Sequence, residues 1–385
     1  MSFDDIGRLT AADEFLDHQI ADTFATIALP DLNWTQKIWG ALVRKDGSMS
    51  VSFGLGKYHN RNVMDGFAGV ARGKAQWTVR ASRRLDTALQ DTSVGPIRYE
   101  VVEPLKAVRF RLEPNRTQPI AFDILFEAEL PPFFEKRNRR RVANRISMDL
   151  IRYHQPGRLS GWVEVDGARE AVGDGWFGFR DHSWGTRASG VGARVPDLAP
   201  ASQGMGDMRL LWGPWLLNRP DGSKYELMHF WTAGPAWRYF SAHLNEAGAV
   251  EGEVRQTEVR EMVPDVRFDP KTRNFLGGTV ALTLATGETR TIRVEPVGDT
   301  AFHLRTGEYG GWRGARHGSW RGNYHEEGEH IPDVVAALPE LGQFRDAPVR
   351  LRDGDAVGYG IQESMFVGVI PELGLMEDSN FPVED

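Results

Sequence analysis

Apolar and polar residues alternate in short runs along most of this chain, the period-two signature of half-buried β-strands. Ser48–Leu55, Gln76–Ala81, Ile97–Val102, Ala107–Leu112, Ile120–Ala128, Arg158–Asp166, Tyr225–Thr232, Gly278–Ala285 and Thr289–Val294 follow the pattern, are rich in β-branched or aromatic residues, and end at turn residues. Asp46-Gly47, Asp166-Gly167, Asp221-Gly222 and Thr286-Gly287 stand where hairpin turns belong. Helical spacing is confined to Ala11–Ile20, through Phe15, Leu16 and Ile20, and the very basic stretch Phe133–Ile151 reads as helix or loop. A run of Gly, Ala, Pro and Ser from Ala188 to Gly206 divides the chain nearly in half. The expectation is an all-β protein of two tandem antiparallel units, 1–190 and 207–385, with a linker at 191–206. Gly175–Trp184 and Gly311–Trp320 share the pattern G-W-x-G-x-R-x-x-S-W, which suggests that the units are duplicates.

Composition narrows the chemistry. An apolar fraction of 41% and a charged fraction of 26% belong to an ordinary soluble globular chain. A net charge of −7 offers nothing to a phosphate backbone, so nucleic acid is not an expected partner. The chain has no cysteine, which removes disulfides, thiolate nucleophiles and cysteine metal sites together. Its start lacks a basic and apolar leader, and no apolar run approaches the ~18 residues of a membrane span. A cytoplasmic protein without an integral membrane segment is expected, and a homodimer is compatible with this. The 42 Gly, 12 Trp and 20 Phe suit short strands around an aromatic-lined interior.

The densest polar constellation is Asp181-His182-Ser183-Trp184, on a strand otherwise rich in Gly and Phe. Successive strand residues face opposite ways, so His182 and Trp184 share one face while Asp181 and Ser183 share the other. A carboxyl in an apolar cavity is driven towards its neutral, proton-donating form, which makes Asp181 a candidate acid and His182 a candidate base. Tyr58 and His59, in a polar cluster after a strand, are further candidates for proton exchange. In Tyr225–Trp231 alternation puts Tyr225, His229 and Trp231 on one face and Glu226, Met228 and Phe230 on the other, both apolar. Glu226, His229, Trp231 and Trp184 are therefore substrate-binding candidates, as are Tyr359 and Glu363 on the apolar strand after Gly358. Trp176, Trp184 and Arg187 could equally close a barrel end. His325–His330 has histidines five apart and misses the helical zinc pattern, so it reads as a solvated loop and no metal is expected. No phosphate loop or nucleophile elbow is present, so no cofactor is implied.

Gln155-Pro156-Gly157-Arg158, Ser160-Gly161, Val163–Gly167 and Gly178–Arg187, with Gly311–Trp320 and Gly358–Glu363 in the second half, resemble the carotenoid 1,2-hydratase and AttH-like group of tandem lipocalin-like (calycin) proteins. Lys57–Arg61 and the overall length are similar to lignin-catabolic lyases of the phenylcoumaran type, a fainter likeness. The resemblance implies two lipocalin-like β-barrels or barrel-like sandwiches that hold a hydrophobic small molecule. It implies a cofactor-independent acid–base lyase acting on a bulky aromatic dimer, for example with loss of formaldehyde. The alternatives are a hydratase, dehydratase or cyclase on an isoprenoid, and a non-catalytic carrier.

Overall fold

The computed structural model describes residues 18–85, 90–142, 144–187, 208–234, 238–298 and 301–376, together with Glu14 and Leu16. The Ala188–Gly206 run lies outside them, as does half of Ala11–Ile20. The first half lays down β1 (Trp34–Arg44), β2 (Met49–Tyr58), β3 (Val63–Arg72), β4 (Ala75–Arg84), β5 (Ser93–Val94), β6 (Ile97–Glu103), β7 (Ala107–Leu112), β8 (Ile120–Ala128), β9 (Phe133–Phe134), β10 (Asn138–Val142), β11 (Arg145–Val165), β12 (Ala168–Val172) and β13 (Trp176–Arg187). The second lays down β14 (Met208–Asn218), β15 (Lys224–Ala233), β16 (Tyr239–Ala247), β17 (Val254–Phe268), β18 (Phe275–Leu284), β19 (Thr289–Pro296), β20 (Phe302–His303), β21 (Tyr324–Ile331), β22 (Arg345–Asp353) and β23 (Ala356–Val367).

The protein is all-β, as the alternation predicts. Strands β14 to β19, β22 and β23 close into an eight-stranded antiparallel barrel, the ring completed by pairing of β19 with β22. The first half forms a curled half-barrel sheet in the order β4-β3-β2-β1-β13-β11-β8-β7-β6-β5. Each of the four expected turns lies between paired antiparallel neighbours, and Asp166 (φ 51°) and Gly167 (φ 76°) adopt the left-handed conformations of a tight hairpin. No helix among the described residues is long and apolar enough to cross a membrane.

Three expectations are corrected. His325–His330 is not a solvated loop but lies within β21, where its backbone pairs with β4 from Ser82 to Trp77. Within Phe133–Ile151 the described residues form no helix but β9, β10 and the start of β11: Met148 and Leu150 of β11 are buried at alternate positions, and Arg137, just before β10, pairs with Asp149 at 2.6 Å. The duplicated motif fails as well. Trp176 opens β13, whereas Trp312 sits in a turn and bridges only to Ala315. The excursion that carries Trp312, between β19 and β22, leaves the barrel and sends β21 to pair with β4 at the edge of the first sheet. The two units instead correspond through their first and last strands. Trp39 of β1 lies opposite Asp181 of β13, and Trp212 of β14 lies opposite Glu363 of β23.

Three cores result. One fills the concave side of the first sheet around Phe53, Phe110, Phe122 and Phe126, and another fills the closed barrel around Trp215, Leu227 and Val280. The third is a seam in which Trp39, Phe177 and Phe179 pack against Leu210, Trp212, Met228 and Ile361. Burying the outer faces of both units in this way leaves any polar residue on them out of water.

Candidate active site at the seam

Polar residues do occur there, and the register explains how they meet. Across β11, β13 and β1 one row of side chains reads His154, Asp181, Trp39, and the next reads Arg152, Ser183, Lys37. The second row continues through Gly56 of β2 to Asp65 of β3. Glycine at 56 is required by close approach: a Cβ there would lie 2.4 Å from the Tyr58 hydroxyl, which donates to Asp65 Oδ1 at 3.0 Å. The excursion of the second half covers these rows with Glu308, Tyr309 and His317. Lys37 Nζ lies 4.5 Å from the centre of the Tyr309 ring, and His317 Nδ1 lies 3.8 Å from Asp65.

Three carboxyls on this seam are held towards their protonated form. Burial raises Asp181, against the opposing pull of Arg152, whose Nε is 3.5 Å from Oδ2. Burial pushes Asp346 up to about 7 although Ser52 (3.1 Å) and Trp39 (3.2 Å) donate to it. Glu363, hydrogen-bonded to Asp346, is driven well above the carboxylate range by burial and by its neighbour's charge. A fourth carboxyl behaves oppositely. Glu135 accepts from Trp212 (2.9 Å), bonds His154 (2.9 Å) and pairs with Arg152 (3.4 Å). Burial alone would raise it, but Arg152 and His154 outweigh burial and hold it at about 2. Pairs of carboxyls whose environments drive them apart are the raw material of acid–base chemistry.

The bases lie on the side of Lys37. Burial, with the Lys37 charge, lowers His317 to about 4, so its imidazole is neutral near neutral pH. Burial lowers the Lys37 ammonium to about 7 against the pull of Asp65.

The sequence-derived candidates divide accordingly. Asp181 and Glu363 come together on the seam, and Tyr58 stands behind it through Asp65. His182 lies on the opposite face of β13, as alternation requires, within 3.3 Å of the Tyr153 hydroxyl and 3.2 Å of Gln36, beside Trp184. Burial lowers it to about 4. His59 sits in a single turn of 3-10 helix after β2, lowered to about 4 by burial and by Lys57. His229 and Trp231 point into the closed barrel, where His229 meets Trp215 edge-on at 4.4 Å and burial lowers it to about 3. Tyr359 stacks on Phe177 at 5.2 Å within the seam. Lys37, Asp65, Glu135, Arg152, Tyr309 and Asp346 carry no motif that alternation alone would single out. The one available signal was a lysine set directly before the apolar run Ile38–Val43.

Glu226 is on the seam face of β15 but apart from the other charges. Neither of its oxygens has a hydrogen-bond partner among the described residues, and burial drives it well above the carboxylate range. It is ionised in the unfolded chain above its ordinary value yet neutral in the fold, so its contribution to stability falls as pH rises. Glu226→Met is expected to raise stability by about 1.4 kcal/mol or more at pH 7, the equivalent of a tenfold change in a protonation equilibrium, with the gain shrinking towards pH 4. Urea titrations at the two pH values check this.

Asp65, Glu308 and His317 bring one donor atom each within 4.8 Å of one another, the one such trio among the described residues. The Arg80 and Arg321 guanidiniums, 4.0 and 3.2 Å from Glu308, and Lys37 already supply counter-charge there. Turnover is therefore expected to survive dialysis against a chelator. A loss restored by a divalent ion would place a cation in this trio.

Comparison with known proteins adds a family. A profile described as a family of unknown function (DUF8625) matches residues 9–376. The chain belongs to that family. No curated protein matches it by sequence. Among solved structures it is similar to a putative AttH from Nitrosomonas europaea (15% identity, TM-score 0.47, covering 86% of this chain and 92% of that one). It is also similar to kievitone hydratase from Nectria haematococca (11%, 0.39, 94% and 96%) and to CghA with Sch210972 (8%, 0.46, 88% and 89%).

Proposed function

We propose that this DUF8625 protein is an acid–base enzyme of the hydro-lyase type, adding water to or removing it from a carbon–carbon double bond of a bulky hydrophobic substrate held at the seam. The single observation that carries the reading is the trio Asp181, Asp346 and Glu363, buried carboxyls all raised towards their acid form, near the neutral imidazole of His317 and the buried Lys37. A carboxylic acid that stays protonated near neutral pH can deliver a proton to carbon, and a neutral imidazole can accept one from water. The sequestered seam keeps both from exchanging freely with solvent. Loss of formaldehyde from an aromatic dimer needs a base more than a stock of acids, so water addition or elimination suits this site better.

The test is a mass-spectrometric screen of hydrophobic alkenes and tertiary alcohols in H₂¹⁸O. A gain or loss of one water, with heavy oxygen incorporated on hydration, is the expected result. Recovery of every substrate unchanged alongside a tightly co-purified hydrophobe would favour a carrier instead.

A further inference from the structure

We propose that Lys37 anchors an oxygen of the substrate that becomes anionic during reaction, which makes the substrate a conjugated carbonyl compound or a phenol rather than a bare hydrocarbon. The proposal deepens the hydro-lyase reading and rests on it for the location of the site.

Lys37 is 2% exposed, and its Nζ has no hydrogen-bond partner among the described residues. Lysine is almost never buried so completely unless paired, because an ammonium removed from water without acceptors is costly. This one lies over the Tyr309 ring, in the field of the Asp65 carboxylate, and the Arg187 guanidinium and the Asp181 and Glu308 carboxyls also act on it. A desolvated ammonium with unused donors is complementary to an oxygen anion. Burial lowers it to about 7, so below that pH it carries the charge the role requires.

The surrounding charge separates two reaction types. Protonating an isolated alkene creates a carbocation, and Lys37, Arg152 and Arg187 would raise the energy of such a cation in this low-dielectric seam. In a conjugated enone the charge has the opposite sign. Water oxygen bonds to the β-carbon, the π pair moves through the α-carbon onto the carbonyl oxygen, and the resulting enolate pairs with Lys37. The proton lost by water passes to the His317 imidazole. A protonated carboxyl, Asp181 or Glu363, then gives its proton to the α-carbon as the carbonyl reforms, and the proton on His317 restores the carboxyl. The sum is one water added across one double bond. With a phenol, the same charge rests on the phenolate oxygen.

The probe is 4-nitrophenol, whose phenolate absorbs at a wavelength where the phenol does not. Titrated into the whole protein near pH 6, where Lys37 is charged, the bound probe is expected to show a phenolate-to-phenol ratio about tenfold above that in buffer, as a tenfold stronger acid would. Lys37→Arg should keep this excess of phenolate and Lys37→Met should abolish it. Replacing a buried charge by an apolar group of similar length is not expected to unfold the protein. Where Met disturbs folding by thermal melt, Lys37→Gln takes its place. A bound probe that titrates as in buffer, no saturable binding up to the probe's solubility, or a full excess of phenolate in the uncharged variant overturns the assignment. None of these readings depends on turnover, so failure here is distinguishable from absence of hydro-lyase activity.

Discussion

Asp181→Asn is expected to lower turnover by about a hundredfold or more, the usual scale for removing a general acid, while the protein remains folded. Burial raises the wild-type carboxyl towards its neutral form, and an amide of the same shape keeps the seam's packing while removing the transferable proton. Glu363→Gln should behave similarly if either acid serves the reaction. His182→Ala is the informative comparison, because it is adjacent in sequence yet faces Tyr153 and Gln36 on the other side of the sheet. Its effect on turnover should be much smaller. If Asp181→Asn leaves activity per folded molecule unchanged but shifts the melting temperature, Asp181 only closes the seam and the acid must be sought elsewhere.

Glu135→Ala is expected to be the most destabilising of the seam substitutions, by about 3 to 5 kcal/mol, the scale for removing one partner of a buried ion pair. The loss would strand the Arg152 guanidinium, the His154 imidazole and the Trp212 indole N–H without their shared acceptor. The pH dependence has a definite sign. Glu135 is held at about 2 in the fold against an ordinary 4.5, so its contribution is present above about 4.5 and disappears as pH falls towards 2. Wild type and Glu135→Ala should therefore converge in stability on acidification, whereas Glu226→Met and wild type should diverge as pH rises. Guanidinium titrations across pH 3 to 8 read both trends. Equal destabilisation by Glu135→Ala at every pH would show that lost packing, not charge, is responsible.

Strand alternation was readable because burial of one sheet face imposes period two locally, and the Asp-Gly turns impose hairpins within a few residues. That is enough to separate Asp181 from His182 and to put Glu226 and His229 on different faces. The basic stretch misled for a related reason. Arginines along an outer strand carry little hydrophobic alternation of their own, so β10 is visible only through its pairing with β11. The repeated Gly-Trp motif misled because similarity of ten residues does not specify what they pair with. Trp176 finds β1, while Trp312 folds back on a turn.

By itself the sequence determined the fold class, most strand positions and the face on which each candidate side chain lies, since these follow from interactions between residues close along the chain. Only the tertiary structure decided which of those faces meet. Lys37 with Tyr309, Asp65 with His317, and Trp39 with Asp346 are contacts between segments far apart in sequence. The altered acidities that make the seam a candidate site arise from desolvation when the outer faces of two sheets close on one another. No local pattern encodes that burial, because a lysine or glutamate on a strand reads the same whether its face ends in water or against a second sheet.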